Sequence, residues 1–377
     1  MIYKRPVFET FSLFRSFVFV RKMSGGKCQV YVTRNDMPVG GVQLLKEECD
    51  VKLWDQPSPV PRTEFLKAVS GVNGIYCSLT DKIDKELLDT AGPSLKVVAT
   101  ISVGYDHIDV AECKKRGIKV GYTPDVLTDA TAELTVSIFY FTFSIYWLND
   151  LYYLNPLTSY LFNFQLALLL SISRRLPEAQ HEARTGGWVS WAPTWMTGPG
   201  LAGATVGIVG FGRIGQAVAR RVHAFNTKQI LYHNRSEKPE ASETNARKVS
   251  FDELLKQSDF VICCAALVPE TKEMFNKEAF ENMKPTSIFV NTSRGGTVDQ
   301  NALIEALKTN KIRAAGLDVT TPEPLPLDSP LFKLKNCLIL PHIGSASIEA
   351  RNVMSELTAR NILAALKGND MPAEIKL

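Results

Sequence analysis

Three side chains late in the sequence have the types that proton and hydride chemistry on a carbonyl requires. Arg294 lies in VNTSRGG, Glu323 in LDVTTPEPLP and His342 in LILPHIGSAS. Each stands at the end of an expected strand or in the loop after it, and ligands of open α/β sheets bind at those carboxyl ends. Arginine offers a planar, permanently charged fork that grips a carboxylate and polarises a carbonyl. Histidine can hand a proton to a developing alkoxide near neutral pH. A carboxylate beside the imidazole favours its charged form and keeps that acid loaded. Together the types suit hydride delivery to a 2-keto acid, with a nicotinamide supplying the hydride and the protein supplying position and charge. Each residue also has a plainer alternative. Arg294 could cap a turn, Glu323 could be solvated in its proline-rich loop, and His342 could be a hydrogen-bonded core residue.

A dinucleotide motif precedes them. VGIVGFGRIGQAVA places Gly210, Gly212 and Gly215 in G-x-G-x-x-G spacing, after an apolar run and at the opening of a helical one. The first glycine allows the tight turn. The second lets the backbone approach a pyrophosphate, and the third lets helix and strand pack closely. The helix start then offers free N–H groups to the phosphates. The next strand ends His233-Asn234-Arg235-Ser236, without the acid that accepts from the ribose hydroxyls in NAD enzymes. Arg235 can clamp a 2′-phosphate, so the sequence favours NADPH, with NADH possible. The alternative is a solvated Arg235.

These residues need a scaffold of alternating strands and helices. Strands are expected at 28–34, 72–79, 95–104 and 118–123, with helices at 63–69 and 84–91 between them. A second series starts after Gly203, with strands at 204–210, 229–234, 260–266, 287–293, 312–319 and 337–342. Its helices are expected at 212–225, 250–258, 276–283 and 301–310, and a closing helix at 349–368 returns to the first domain. The fold class is α/β: two doubly wound parallel-sheet domains, a Rossmann cofactor domain inserted into a flavodoxin-like substrate domain. The expected division is 27–129 with 346–377 for the substrate domain and 130–345 for the NAD(P)-binding domain.

Composition narrows the classes. A chain of 377 residues with 45% hydrophobic and 22% charged content suits a soluble two-domain protein. A net charge of +4 is too small to argue for nucleic acid. The seven cysteines form no CxxC pair, so neither a disulfide framework nor a zinc site is expected, and a reducing compartment fits. Residues 1–26 fall outside the fold. The first 22, MIYKRPVFETFSLFRSFVFVRK, have the composition of a mitochondrial presequence or follow an upstream start, with Met23 the initiator. The expected location is cytoplasmic, or mitochondrial with a presequence.

GFGRIG, NTSRGGTVDQNAL, AAGLDVTTPEPLP and PHIGSAS, in this order and spacing, resemble the D-2-hydroxyacid dehydrogenases. TISVGYDHID, GYTPDVLTDATAEL, GGWVSWAPTWMTGPGL and MPAEIKL are similar to the glyoxylate/hydroxypyruvate reductase branch of that family. The resemblance covers roughly 27–135 and 166–377. It implies that Arg294 binds substrate, His342 donates the proton and Glu323 partners it. It further implies that the backbone at Val103 and Gly104 holds the substrate carboxylate, a nest of N–H groups suited to an anion. Asp318 would face the nicotinamide or substrate, and Ser345 would line the pocket beside Gly344. Arg213, Ile214, Arg235, Ser236, Ala266 and Thr292 would join the glycines around the cofactor. Trp191 would close the partner's pocket in a homodimer. Glu237 is an unexpected acid in the phosphate-binding stretch. Other readings stay open: a dinucleotide-dependent corepressor-like binding protein, or a dehydrogenase for another D-2-hydroxy acid.

One stretch fits none of this. Residues 136–165, VSIFYFTFSIYWLNDLYYLNPLTSYLFNFQ, are rich in aromatics and carry no Lys or Arg. Asn149-Asp150 and Asn155-Pro156 interrupt the stretch, so it is too short for a spanning helix of about 20 apolar residues. Without it the flanks join as TDATAELT–LALLLSISRRLPEA, an unbroken helix with Glu133 near its start and Arg174-Arg175 at its end. Val136-Ser137 can be encoded as a splice donor, and 162–165 as a pyrimidine tract ending in an acceptor. The expectation is a retained, in-frame intron.

Overall fold

The computed structural model describes residues 27–124, 160–346 and 348–376. Residues 1–26, expected to be a presequence or an upstream extension, and most of the interruption, 136–159, lie outside the described residues.

The first sheet holds β1 (Gln29–Val32), β2 (Asp50–Leu53), β3 (Gly74–Cys77), β4 (Val97–Thr100) and β5 (Lys119–Gly121), in the order β2-β1-β3-β4-β5. Every pairing is parallel. This is the flavodoxin-like order. β3 and β4 are buried on both faces, which is why they read as unbroken apolar runs. The helices are α1 (Val39–Glu48), α2 (Arg62–Ala68), α3 (Lys85–Ala91) and α4 (Val110–Lys115). Asp84 and Asp109 cap α3 and α4 by accepting the Leu87 and Glu112 N–H groups.

Next come α5 (Tyr160–Ser173) and α6 (Leu176–Thr185). α5 seats Leu166, Leu168, Leu169 and Ile172 in the core of the second sheet. That sheet has seven strands: β6 (Thr205–Val209), β7 (Gln229–His233), β8 (Arg247–Lys248), β9 (Phe260–Cys263), β10 (Ile288–Asn291), β11 (Ala314–Leu317) and β12 (Cys337–Ile339). Their order is β12-β11-β10-β9-β6-β7-β8, all parallel. This is the Rossmann order with one added strand, and it reverses direction between β6 and β9. α7 (Arg213–His223), α8 (Phe251–Gln257), α9 (Lys277–Asn282) and α10 (Gln300–Lys308) connect the strands.

The final helix, α11 (Ile348–Leu366), packs on α1, β3 and β4, so the chain closes on the substrate domain. Tyr76 donates its hydroxyl to Ser355 Oγ at 2.8 Å, and Ser355 donates to the Pro38 carbonyl at 2.8 Å. The nested two-domain order agrees with the sequence reading. α1, β2, α4, α6 and β8 were not anticipated. The helix expected to run unbroken through LALLLSISRRLPEA ends at Ser173, and α6 starts anew after Arg175, which takes a left-handed φ of 55. α1 (VGGVQLLKEE) carries two glycines, poor helix formers. β2 is a short, half-exposed edge strand, and β8 has two residues.

Candidate active site

The glycine motif meets its three separate demands. Gly210 holds φ +90, and a Cβ there would stand 2.6 Å from Ala265 N. A Cβ on Gly215 would collide with the Gly210 carbonyl, so strand and helix approach as only glycine allows. A Cβ on Gly212 would meet no protein atom within 4 Å. The space beside it is open, as a pyrophosphate requires. Side chains accept from the first-turn N–H groups of α8, α9 and α10, whereas α7 begins at Gly212 with no side-chain acceptor. Its N-terminal N–H groups therefore suit a phosphate. Arg213 is exposed and Ile214 half-buried at this start. Ala266 follows β9, the neighbour of β6, and Thr292 follows β10, one strand further on, both at carboxyl ends. Thr292 Oγ1 accepts from Gln165 Nε2.

At the end of β7 the Asn234 side chain accepts from Phe211 N at 3.3 Å and donates to the Ser236 carbonyl at 3.0 Å. This folds the strand end back over the glycine turn. Arg235, Ser236 and Glu237 are exposed.

Three loops from β10, β11 and β12 carry the acid–base groups. His342 Nδ1 donates to Glu323 Oε2 at 2.9 Å, leaving Nε2 as the second ring nitrogen. Glu323 Oε1 accepts from Thr320 N at 2.9 Å. Burial would raise the Glu323 carboxyl. The His342 hydrogen bond and charge, the Thr320 N–H and Arg294 outweigh it and hold the group below its ordinary value. His342 itself has φ 53, a left-handed conformation uncommon outside glycine. Asp318 supports that conformation. Its carbonyl accepts from His342 N at 2.9 Å, and its two carboxylate oxygens accept from Ile343 N and Gly344 N at 2.8 Å each. Asp318 is 2% exposed, and burial pushes its carboxyl up to about 6. It is a clamp on the histidine loop. Arg351, from the first turns of α11, donates to the Ser345 carbonyl at 3.1 Å and feels the Asp318 charge.

Arg294 faces the substrate domain. Its Nε donates to Asp106 Oδ1 at 3.2 Å and its Nη1 to the Ser293 carbonyl at 2.9 Å. A Cβ on Gly104 would collide with Arg294 Nη2 and stand 2.8 Å from Cζ. The guanidinium thus lies directly over the Val103-Gly104 backbone, which only glycine permits. The loop is braced from below. Ser102 Oγ donates to the Gly104 carbonyl at 2.6 Å, and Thr100 Oγ1 contacts Ser102 Oγ at 2.8 Å and His107 Nε2 at 3.1 Å. Burial pushes His107 down to about 4, against the pull of Asp106.

Arg294, Val103, Gly104, Glu323, His342, Asp318, Gly344 and Ser345 are thus gathered where the two sheets' carboxyl ends meet. Trp191 is not among them. It is 81% exposed after α6, near the exposed Trp188 and Val189. Sequence reasoning missed Asp106 and Arg351. The signal for Asp106 was present in TISVGYDHID, as an acid two residues past the anion-binding turn.

A Rossmann cofactor site facing an arginine-lined anion seat, with a histidine–carboxylate pair between them, defines a dinucleotide-dependent oxidoreductase. Residues 166–344 match the family described as D-isomer specific 2-hydroxyacid dehydrogenase, NAD binding domain. The chain is 49% identical over 351 residues to glyoxylate reductase/hydroxypyruvate reductase of Homo sapiens, covering 93% of this chain and 98% of that one. It is 44% identical to glyoxylate reductase of Thermococcus litoralis, covering 92% and 96%. The solved NADPH-dependent glyoxylate/hydroxypyruvate reductase of Sinorhizobium meliloti, in complex with NADP and malonate, aligns with a TM-score of 0.73 at 29% identity, covering 93% and 97%. The chain is an enzyme of the D-isomer specific 2-hydroxyacid dehydrogenase family.

Proposed function

We propose that this enzyme is an NADPH-preferring reductase of glyoxylate to glycolate and of hydroxypyruvate to D-glycerate. The observation that carries the reading is the His342–Glu323 pair set beside Arg294, whose guanidinium lies over Gly104. The substrate carboxylate rests on the backbone of Val103 and Gly104 and on Arg294 Nη2. Arg294 and His342 Nε2 polarise the keto oxygen. Gly210–Gly215 would hold the pyrophosphate of the dinucleotide, whose nicotinamide would supply the hydride to the keto carbon. His342 transfers its proton to the oxygen as the alkoxide develops, and Glu323 stabilises the charged ring before transfer. Asp318 keeps the histidine loop in place.

The preference for NADPH rests on the end of β7. Arg235 is exposed there, with no acid before Glu237 to oppose a 2′-phosphate. The exposed Trp188, Val189 and Trp191 are the surface through which a second copy would dock, bringing Trp191 to the partner's pocket. The test is consumption of NADPH by the purified chain with glyoxylate or hydroxypyruvate. Absence of turnover with either, while NADPH still binds, would overturn this substrate assignment and leave a dehydrogenase for another D-2-hydroxy acid or a dinucleotide-binding protein.

A further inference from the structure

Each cation at the site already has its own anion. Arg294 pairs with Asp106, His342 with Glu323, and Arg351 lies in the field of Asp318. His107, half-buried beside the same loop, is pushed down to about 4 by desolvation and adds no positive charge near pH 7. An incoming carboxylate is therefore held by one remaining guanidinium edge and by backbone N–H groups.

We propose that Asp106 is a charge-selecting residue, which restricts the site to 2-keto acids whose carboxylate is their only charge. Asp106 reaches across from the substrate domain to Arg294, and its side chain is 45% exposed, beside the seat at Gly104. A substrate carboxylate on Nη2 shares one guanidinium with Asp106, so the two acids stand only a few ångströms apart. Arg294 and the N–H groups of the turn offset that first repulsion. A second carboxylate or a phosphate on the substrate finds no such compensation, and Asp106 repels it. At a half-exposed position one such charge costs about tenfold in affinity, or about 1.4 kcal/mol. A residue that merely held Arg294 in place would affect both kinds of substrate alike.

This inference rests on the reading of Arg294 as the carboxylate anchor, and one ligand pair tests both separately. Oxamate and N-oxalylglycine share the same head, but the second carries an additional carboxylate. Their dissociation constants are measured by calorimetry on the full chain with NADPH present. The unaltered protein should prefer oxamate, and Asp106→Asn should narrow that preference about tenfold. Asp106→Glu, which keeps the charge, should retain it. Added salt should narrow the preference in the unaltered chain, a readout independent of whether any variant folds. The same ratio should appear in kcat/KM for glyoxylate against 2-ketoglutarate. A preference unchanged in Asp106→Asn, lost equally in Asp106→Glu, or indifferent to salt overturns the proposal. Failure of the unaltered chain to bind oxamate removes the Arg294 reading instead, and the proposal with it.

Discussion

His342 and Glu323 are 19 residues apart in the chain and joined by a 2.9 Å hydrogen bond from Nδ1 to Oε2. The bond fixes which ring nitrogen is free, and the lowered Glu323 carboxyl stays ionised through the neutral range. Replacing His342 by Ala should lower kcat/KM about 100- to 10,000-fold. Glu323→Gln keeps the shape but removes the charge that favours the protonated ring. Activity should fall about 10- to 100-fold. Unchanged kcat/KM in Glu323→Gln would mean that the carboxylate charge does not serve the proton transfer.

Asp318 gives a pH signature of opposite sign to a surface carboxylate. Its folded value, about 6, lies above the ordinary 3.8 because the group is buried. The stability it contributes is present below the ordinary value and is lost as pH rises through about 6. Asp318→Asn does not titrate, and it has one acceptor for the two N–H groups of Ile343 and Gly344. The difference in melting temperature between the unaltered chain and Asp318→Asn should therefore shrink between pH of about 4 and 7. Parallel melting curves across that range would contradict the assignment.

The motif glycines separate folding from binding. Gly215→Ala drives a Cβ into the Gly210 carbonyl, which has no room to move between strand and helix. It should cost about 2 kcal/mol or more, read as a lower melting temperature. Gly212→Ala meets no protein atom within 4 Å, and its φ of −76 suits alanine. Stability should stay within about 0.5 kcal/mol while NADPH affinity falls about tenfold or more. If Gly212→Ala binds NADPH normally, the pyrophosphate does not pass there.

The framework was legible because parallel strands buried on both faces leave long apolar runs, as at 204–210 and 260–266. The glycine motif and the loops after β10, β11 and β12 were legible for the same reason, since they punctuate those runs. α1 was hidden because its glycines answer a tertiary demand. A Cβ on Gly41 would collide with the Ser355 backbone of α11, more than 300 residues away. The role of Asp106 was hidden for a similar reason. The acid beside the anion-binding turn is visible in TISVGYDHID, but its partner Arg294 lies 188 residues on.

Arg235 should separate the two dinucleotides. It is exposed at the end of β7, where a 2′-phosphate would lie. Arg235→Ala should raise KM for NADPH about tenfold or more, because a charge-assisted pair to phosphate is lost. KM for NADH should change less than about twofold, since NADH has no phosphate there. Equal losses with both would assign Arg235 to the architecture of the turn and not to phosphate recognition.

The last prediction concerns residues 136–165. α5 starts at Tyr160, so 160–165 form its N-terminal turns, directly before Leu166, Leu168, Leu169 and Ile172. Deleting 136–165 joins Thr135 to Leu166 and places 130–135 in those same six positions, residue for residue. The core-facing residues from Leu166 onward are untouched. Gln165, which donates to Thr292 Oγ1 and accepts from Cys264 Sγ at 3.6 Å, is replaced by Thr135. The link between β5 and α5 shortens from 122–159 to 122–129, worth about 1 kcal/mol in closure entropy. We propose that the functional protein lacks this segment. The deleted chain should melt a few degrees higher, by about 2–4 °C for each 1 kcal/mol. It should also reduce glyoxylate at least about tenfold faster, because α5 packs on β10, from whose end Thr292 and Arg294 project. Equal activity in the two chains, or a principal transcript that encodes the segment, would show instead that 136–165 belongs to the working enzyme.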